Sequence, residues 1–129
     1  LKMLESADVL IENFKPGTMV RYHLDYASVS RVNPRLVYVS NKGFLPGPYD
    51  HRTALDEVVQ MMGGLAYMTG PVGRPLRAGA PVNDMMGGMF GAIAILAALR
   101  ERDRTSTSTS SRSSASASSS ATASAIWPP

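Results

Sequence analysis

Two short apolar runs in the first third of the chain have the pattern of parallel strands. The first covers residues 9–11, and the second covers residues 36–40. A continuous apolar run of this length is typical of a strand that is covered on both faces. The segment between them predicts two short helices, one capped by Thr18 and one over residues 26–32. The order strand, helices, strand predicts an α/β fold with part of a Rossmann-like parallel sheet, without the Gly-x-Gly-x-x-Gly motif of a dinucleotide site.

A longer apolar pattern dominates the second half of the chain. From Met85 to Leu99 no residue is charged, and glycine and alanine recur at helical spacing. This pattern predicts a buried core helix that packs closely against other backbone. The run is shorter than the roughly 20 residues of a membrane span and is diluted by glycine, so we expect no membrane association. Residues 58–68 predict another buried helix, with Thr53 or Asp56 as its cap and methionines along its apolar stripe.

The composition changes abruptly after Arg104. From Thr105 to Ala125 every residue is Ser, Thr or Ala except Arg112, and no hydrophobic period is present. Such a segment cannot bury enough apolar surface to offset its ordering entropy, so we expect a disordered tail over residues 105–129. A frameshift in a GC-rich gene would produce this run, and a flexible linker or an O-glycosylated stalk is the alternative. Residues 1–104 are the predicted folded unit.

Composition and charge disfavour several classes of function. The 129 residues carry a formal net charge of +3, and the arginines are scattered singly, so no basic cluster indicates a nucleic-acid partner. The absence of cysteine excludes disulfides and a thiolate nucleophile. No signal-peptide pattern is present in the sequence, and we expect a cytoplasmic location.

Candidate chemistry lies at the predicted strand ends and at the start of the long helix. Ligands of open parallel sheets bind at the carboxyl ends of the strands, where residues 13–15 (Asn13, Phe14 and Lys15) and residues 40–44 stand, although the residues alone favour ordinary polar loops over a binding site. Asp84 stands where a carboxylate can accept unpaired helix amides, and the residues alone favour this capping role over catalysis. The remaining basic side chains near these positions are expected to be solvated, namely Lys15, Lys42, Arg74 and Arg77.

Four segments form a more specific combination. They are Ala7-Asp-Val-Leu-Ile-Glu-Asn-Phe-Lys-Pro-Gly17, Asn33-Pro-Arg-Leu-Val-Tyr-Val-Ser40, Gly43-Phe44 with Gly47-Pro48-Tyr49, and Ala80-Pro-Val-Asn-Asp84 before a glycine-rich helix. In this order, from about Leu4 to Thr105, they resemble the family III CoA-transferases, the group that includes formyl-CoA and carnitine-CoA transferases. The combination is specific, whereas each segment alone is not.

The resemblance implies a reaction and a role for individual residues. The reaction is transfer of coenzyme A from an acyl-CoA donor to a carboxylic acid acceptor, through a covalent intermediate on Asp84. Asn13, Phe14 and Arg21 match positions that hold coenzyme A, with Phe14 as an apolar contact and Arg21 as a phosphate partner. The resemblance implies no metal and no permanently bound cofactor, since the CoA thioester is a substrate. Complete members of the family are expected to be homodimers.

Three alternatives to this assignment follow from the same residues. In the racemase branch of the family, a His directly before Asp56 works with the later Asp, but Leu55 cannot transfer a proton and His51 is out of register. Acyl transfer is therefore favoured over racemisation. A non-catalytic remnant and an interaction module are the other two. Because the sequence begins within a predicted helix and ends in the predicted tail, we expect an incomplete chain that does not turn over acyl-CoA at an ordinary rate alone.

Overall fold

The computed structural model describes residues 2–110, with side chains as far as residue 105. A 3₁₀ turn at Lys2–Glu5 precedes strand β1 (Val9–Glu12), helices α1 (Thr18–Arg21) and α2 (Tyr26–Val32), and strand β2 (Val37–Ser40). Helices α3 (Asp56–Met62), α4 (Leu65–Thr69) and α5 (Val82–Ser110) follow. The α/β class and the strand, helices, strand order are confirmed, whereas a Rossmann-like sheet stays a prediction.

The two strands form a small parallel sheet. Val9 lies opposite Val37 and Glu12 lies opposite Ser40, so both strands end at the same edge. Within β2 the valines are buried, but Ile11 of β1 is 59% exposed. The prediction that the first strand is covered on both faces is therefore wrong within the described residues, because no element of this part of the chain packs over Ile11.

Side-chain hydrogen bonds fix the ends of α2. Asp25 Oδ2 accepts the backbone N–H of Ser28 at 3.3 Å, and Ser28 Oγ donates to Asp25 Oδ1 at 2.7 Å. After the helix, Asn33 Nδ2 donates to the carbonyl oxygens of Leu4 and Ala7, each at 2.9 Å. The predicted helix over residues 26–32 is confirmed, and Asn33 fastens its end to the segment before β1.

Two predicted helix starts are wrong. Gly17, with φ +80°, occupies the N-cap of α1, and no side chain caps that helix, so Thr18 is its first residue instead of its cap. Leu55 occupies the N-cap of α3, again without a side-chain hydrogen bond. The predicted helix over residues 58–68 is divided in two because Gly64 adopts φ +81°, a left-handed conformation that ends a right-handed helix.

Helix α5 confirms the predicted secondary structure but not the predicted burial. Among residues 82–105 of the helix only Gly91 is buried, because an approach to β2 covers one narrow stripe. Much of the remaining apolar surface is exposed, including Met85 at 58% and Leu96 at 68%. By length and composition alone, the segment Val82–Thr105 could cross a membrane, a test that core helices of soluble proteins also pass. The expected absence of membrane association stays a prediction.

Helix α5 also extends beyond its predicted end. It continues as far as Ser110, so the first residues of the predicted tail are helical. Residues 111–129 of that predicted tail lie outside the described part of the chain.

The contacts of α5 give its direction across the sheet. Gly91 lies beside Asn41, just past the carboxyl end of β2. Farther along the helix, Arg102 Nη2 bonds to Asp8 Oδ1 at 2.8 Å, and Arg102 Nη1 donates to the carbonyl oxygen of Arg35 at 3.2 Å. Both partners precede a strand, so α5 runs antiparallel to the sheet. Its start therefore projects beyond the carboxyl strand ends, by roughly 10 Å from Gly91 to Asp84 at 1.5 Å per residue.

Candidate functional site

Asp84 presents an exposed carboxylate in the first turn of α5. Among residues 2–105, no side chain or backbone group forms a hydrogen bond or ion pair with this carboxylate. The sequence favoured a capping role for Asp84, but the carboxylate does not accept the amides at the helix start. Those amides have another partner.

Asp56 of α3 caps the start of α5. Its Oδ1 atom accepts the backbone N–H of Asn83 at 2.8 Å and that of Asp84 at 3.1 Å. The first amides of a helix have no partner within the helix, and their partial positive charge favours an anion. The Asp56 residue is 4% exposed, so this carboxylate lies between the two helices. It was predicted as a possible cap for α3, and it caps α5 instead.

The surroundings of Asp56 stabilise its ionised form. Burial alone would raise the pKa of this carboxyl. The N–H of Asp84, the side-chain amide of Gln60 and the N–H of Asn83 act in the other direction, together with the charge of Arg77. The net result is a pKa below the usual range for aspartate, so Asp56 is an anion at neutral pH.

Gln60 lies one turn after Asp56 and is completely buried. Its Nε2 atom donates to Asp56 Oδ2 and, at 3.3 Å, to the carbonyl oxygen of Ala80. Its Oε1 atom accepts the N–H of Ala78 at 2.7 Å. One side chain therefore holds both the acceptor of the α5 amides and the loop that leads into α5. We call Asp56, Gln60, Asn83 and Asp84 the helix-start cluster.

The loop between α4 and α5 is held close to α4. The N–H of Leu76 donates to the carbonyl oxygen of Ala66 at 2.9 Å. A Cβ atom at Gly70 would collide with the carbonyl oxygen of Arg74, so glycine is required at this close approach. Arg77 forms an ion pair with Glu57 of α3. Both side chains are about half exposed, so Arg77 lies at the surface as expected, with an acidic partner.

A second group of polar side chains lies at the carboxyl ends of the two strands. Glu12 Oε2 accepts the N–H of Phe14 at 2.9 Å and bonds to Lys42 Nζ at 2.8 Å, while Oε1 accepts the hydroxyl of Ser40. Lys42 Nζ also donates to the carbonyl oxygen of Phe14. The expectation that Lys42 is solvated is wrong, since it is the partner of a buried carboxylate. We call Glu12, Phe14, Ser40 and Lys42 the strand-end cluster.

The strand-end cluster also contains a stabilised anion. Burial alone would raise the pKa of Glu12. Hydrogen bonds from Lys42, Ser40 and the N–H of Phe14, with the charge of Lys42, lower the pKa below its ordinary value. The sequence alone does not indicate the role of Glu12, because a glutamate at a strand end resembles any solvated loop residue. The turn that begins at Phe14 is therefore held at two points, because Glu12 accepts the N–H of Phe14 and Lys42 donates to its carbonyl oxygen.

The residues expected to bind coenzyme A are exposed near this edge. Phe14 is 56% exposed and Asn13 is exposed as well. The guanidinium of Arg21 lies 4.9 Å from the centre of the Tyr22 ring, and Arg21 Nη2 donates to the Tyr22 hydroxyl at 3.0 Å. These positions leave the Phe14 ring and the Asn13 amide accessible to a ligand. The Arg21 guanidinium is held in place by the ring and hydroxyl of Tyr22.

A close approach joins the two clusters. Gly43 follows Lys42, and a Cβ atom at Gly43 would lie 2.5 Å from the Cβ of Ala54. Ala54 in turn precedes the first turn of α3, where Asp56 lies. The loop after β2 therefore packs directly against the segment that supplies the helix-start cluster. Glycine is needed at residue 43 because a larger residue would separate the two segments.

Within residues 2–110, no group of three or more His, Cys, Asp or Glu side chains could hold a metal ion. The histidine closest in sequence to α3, His51, is largely exposed and faces Asp50 at 3.7 Å. Of the two carboxylates in the helix-start cluster, Asp84 is the exposed one.

A family model described as CoA-transferase family III matches residues 1–127. The chain belongs to CoA-transferase family III. This family III chain is 44% identical over 105 residues to the acetyl-CoA:oxalate CoA-transferase of Acetobacter aceti, an alignment that covers 79% of this chain and 27% of the relative. It is 43% identical over 100 residues to the succinate–glutarate CoA-transferase of Agrobacterium fabrum, covering 76% of this chain and 25% of the relative.

A solved structure has the same fold as this part of the family. The CAIB/BAIF family protein of Brucella suis superposes with a TM-score of 0.76 at 42% identity, over 81% of this chain and 28% of that protein. The family III chain spans about a quarter of the length of the curated relatives that it matches. The resemblance inferred from the motifs of the sequence is confirmed at the level of the family.

Proposed function

We propose that Asp84 is the nucleophile in a transfer of coenzyme A from an acyl-CoA donor to a carboxylic acid. The observation that carries the proposal is the unpartnered Asp84 carboxylate at the exposed start of α5, where Asp56 already occupies the helix amides. A carboxylate that does not cap its own helix is available to attack an electrophile. The named relatives are CoA-transferases, which supports this class of reaction.

In the first half of the proposed reaction, Asp84 exchanges an acyl group for coenzyme A. A carboxylate oxygen of Asp84 attacks the thioester carbonyl carbon, the C–S bond breaks, and CoA thiolate leaves a mixed anhydride behind. The thiolate then attacks the Asp84 carbonyl carbon, and the anhydride C–O bond breaks. The donor acid departs as its carboxylate, and Asp84 is now a CoA thioester.

The second half repeats these steps with the acceptor. The acceptor carboxylate attacks the Asp84 thioester and displaces CoA thiolate, which forms a second anhydride. The thiolate attacks the acceptor carbonyl carbon and regenerates the Asp84 carboxylate. No electron or proton is gained or lost overall. The relatives are named for oxalate, succinate and glutarate, so a dicarboxylic acid is the first acceptor class to test.

We further propose that Phe14 contacts the coenzyme with its exposed ring, that Asn13 lies beside it, and that Arg21 binds a phosphate group. The position of the strand-end cluster supports this assignment, since the contact between Gly43 and Ala54 joins it to the helix-start cluster.

Covalent trapping tests the role of Asp84. The chain is incubated with acetyl-CoA and then with hydroxylamine, which converts an aspartyl anhydride or thioester into a stable hydroxamate. Peptide mass spectrometry should locate the modification at Asp84, and Asp84→Asn should remove it while coenzyme A binding persists. Asp50→Asn, which changes another exposed aspartate, is the matched control and should leave the modification in place.

The trapping experiment also separates the proposed enzyme from its alternatives. A folded chain that binds acetyl-CoA without any modification at Asp84 would favour a non-catalytic remnant. Exchange of the acyl α-hydrogen with deuterated solvent, without the trapped adduct, would instead favour racemisation. Leu55 is an exposed alkyl side chain at the N-cap of α3 and offers no proton for that reaction.

A further inference from the structure

We infer that Gln60 is a positioning residue for the proposed nucleophile. It holds Asp56 against the amides of α5, and the Asp84 carboxylate therefore does not have to cap the helix. The functional part of this inference rests on the proposed role of Asp84. The geometric part does not, because it concerns contacts among Gln60, Asp56 and the backbone only.

The backbone around Gln60 permits only one orientation of its amide. The N–H of Ala78 needs an acceptor, and the carbonyl oxygen of Ala80 needs a donor, so Oε1 faces Ala78 and Nε2 faces Ala80. The second N–H of Nε2 then points to Asp56 Oδ2. Flipping the amide would place Nε2 against the N–H of Ala78, and Oε1 against both the carbonyl oxygen of Ala80 and Asp56 Oδ2. The orientation of Asp56 is therefore determined by the loop that leads into α5.

This arrangement leaves Asp56 Oδ1 for the α5 amides. With Oδ2 held by Gln60, Oδ1 faces the N–H groups of Asn83 and Asp84. If Asp56 turned away, those two amides would lose their acceptor. The Asp84 carboxylate, already in the first turn, would then be the nearest anion to cap the helix. A nucleophile used as a cap is less available for attack on a thioester.

A change of charge at residue 60 tests this arrangement directly. In Gln60→Glu, a protonated carboxyl can still donate to Asp56 and accept from Ala78, whereas an ionised one repels Asp56. The charged groups around the position are Asp56 and Glu57 on α3, Arg77 in the loop and Asp84 on α5, and α4 contributes none. Two carboxyl groups in contact titrate as a pair in which one pKa is raised.

The first measurement is the single-turnover rate of Asp84 modification at saturating acetyl-CoA. In Gln60→Glu we expect the rate to fall at least about tenfold between about pH 5 and about pH 8, as the pair loses its shared proton. The unaltered chain should show no such fall. Met61→Glu is the matched control, since it adds the same charge one residue along on the exposed face and should follow the unaltered chain. The dissociation constant of coenzyme A should not change in either variant.

The second measurement does not depend on catalysis. Amide hydrogen exchange, followed by NMR and corrected for intrinsic exchange, should show Asn83 and Asp84 protected in the unaltered chain. In Gln60→Glu this protection should be lost at the higher pH while circular dichroism retains the helical signal. Gln60→Met removes the hydrogen bonds without adding charge, and its protection should be low at every pH, which covers the case of a glutamate variant that fails to fold.

The two measurements distinguish failure of this inference from failure of the proposed function. If Asn83 and Asp84 exchange freely in the folded unaltered chain, or if Gln60→Met and Gln60→Glu retain full protection, Gln60 does not position the cluster. If the protection behaves as expected but no Asp84 modification forms, the geometry is correct and the proposed nucleophile is wrong.

Discussion

The strand-end cluster and the helix-start cluster both stabilise a buried carboxylate, but they do so with different partners. Each contains a carboxylate that is almost removed from water, with Glu12 5% exposed and Asp56 4% exposed. Glu12 accepts one backbone N–H from the turn that follows it, and Asp56 accepts two from the start of α5. Glu12, however, has a cation in contact, with Lys42 Nζ at 2.8 Å. Asp56 is surrounded by neutral donors, and the nearby Arg77 is paired with Glu57.

This difference determines what each cluster depends on. The charge of Glu12 is balanced within the sheet and its loops, so the cluster is complete once β1 and β2 pair. The charge of Asp56 is stabilised by Gln60, by Arg77 and by the amides of α5, so its full stabilisation requires that helix to be in place. Docking of α5 and ionisation of Asp56 are therefore coupled. Asp84, the candidate nucleophile, lies on this same helix.

The largest effect should come from removing the side chain that holds the helix-start cluster. Gln60→Met leaves the N–H of Ala78, the carbonyl oxygen of Ala80 and one oxygen of Asp56 without a partner. At about 1 kcal/mol for each buried group, the free energy of unfolding should fall by about 3 kcal/mol. Urea denaturation measures this value. Met61→Leu, at the exposed neighbouring position, should change it by less than about 0.5 kcal/mol. Equal effects in the two variants would contradict the importance of the buried amide.

A smaller loss is expected when the strand-end cluster loses its cation. Lys42→Met leaves Glu12 buried without its ion-pair partner, but the Lys42 side chain is 30% exposed and water can replace part of the contact. We expect about 2 kcal/mol of destabilisation. Lys15→Met is the matched control, because Lys15 is an exposed lysine of the adjacent turn. Adding Glu12→Gln to Lys42→Met should restore part of the lost free energy of unfolding. If the effects of the two substitutions simply add, the two charges do not interact.

Acid should weaken both clusters through their carboxylates. The pKa values of Glu12 and Asp56 are lower in the folded chain than in an unfolded one. Their stabilisation is therefore complete above the unfolded pKa of about 4 and is lost as pH falls through the folded values. The thermal midpoint should be level near neutral pH and fall in that acid range. Glu12→Gln and Asp56→Asn should each reduce the decrease of the thermal midpoint in acid. If a variant shows the same decrease as the unaltered chain, that carboxyl does not contribute to the acid sensitivity.

The smallest effect concerns Tyr38, which reports on the charge of Glu12. Burial, followed by the charges of Glu12 and Asp25, raises the pKa of Tyr38 to about 12. Glu12→Gln removes one of these charges and should lower that pKa by a fraction of a unit. Ultraviolet titration of the tyrosines measures the change. Asp56→Asn, in the other cluster, is the control and should leave Tyr38 unaltered.

The sequence predicted the structure well where the decisive contacts are local. The strands and the order of elements follow from short apolar runs, and helix α2 ends where Pro34 follows Asn33, a pair that breaks a helix. It predicted the position of Asp84 but not its surroundings, because Asp56 reaches amides that lie 27 and 28 residues later in the chain. The only local signal was the spacing of Asp56 and Gln60 by one helical turn. That spacing is also typical of a solvated helix face, so it did not indicate a buried pair.

The burial of α5 could not be predicted from its composition. An apolar run with small residues indicates close packing, and Gly91 does lie against β2. Composition does not say which elements cover the other sides, and within residues 2–105 Ile93 and Leu96 stay 60% and 68% exposed. The pattern was therefore correct for one stripe of the helix and wrong for the rest.

The contacts of Arg102 also have a consequence for the order in which the chain folds. Arg102 reaches a carbonyl group 67 positions earlier in the chain, whereas the hydrogen bonds of Glu12 to Ser40 and Lys42 span 28 and 30 positions. Closing a larger loop has a higher entropic cost before any contact is gained. We therefore expect the β1–α2–β2 unit to form first during synthesis, while the codons for Arg102 are still untranslated. The part of α5 that carries Arg102 then docks last, against a β1–α2–β2 unit that has already folded on the ribosome.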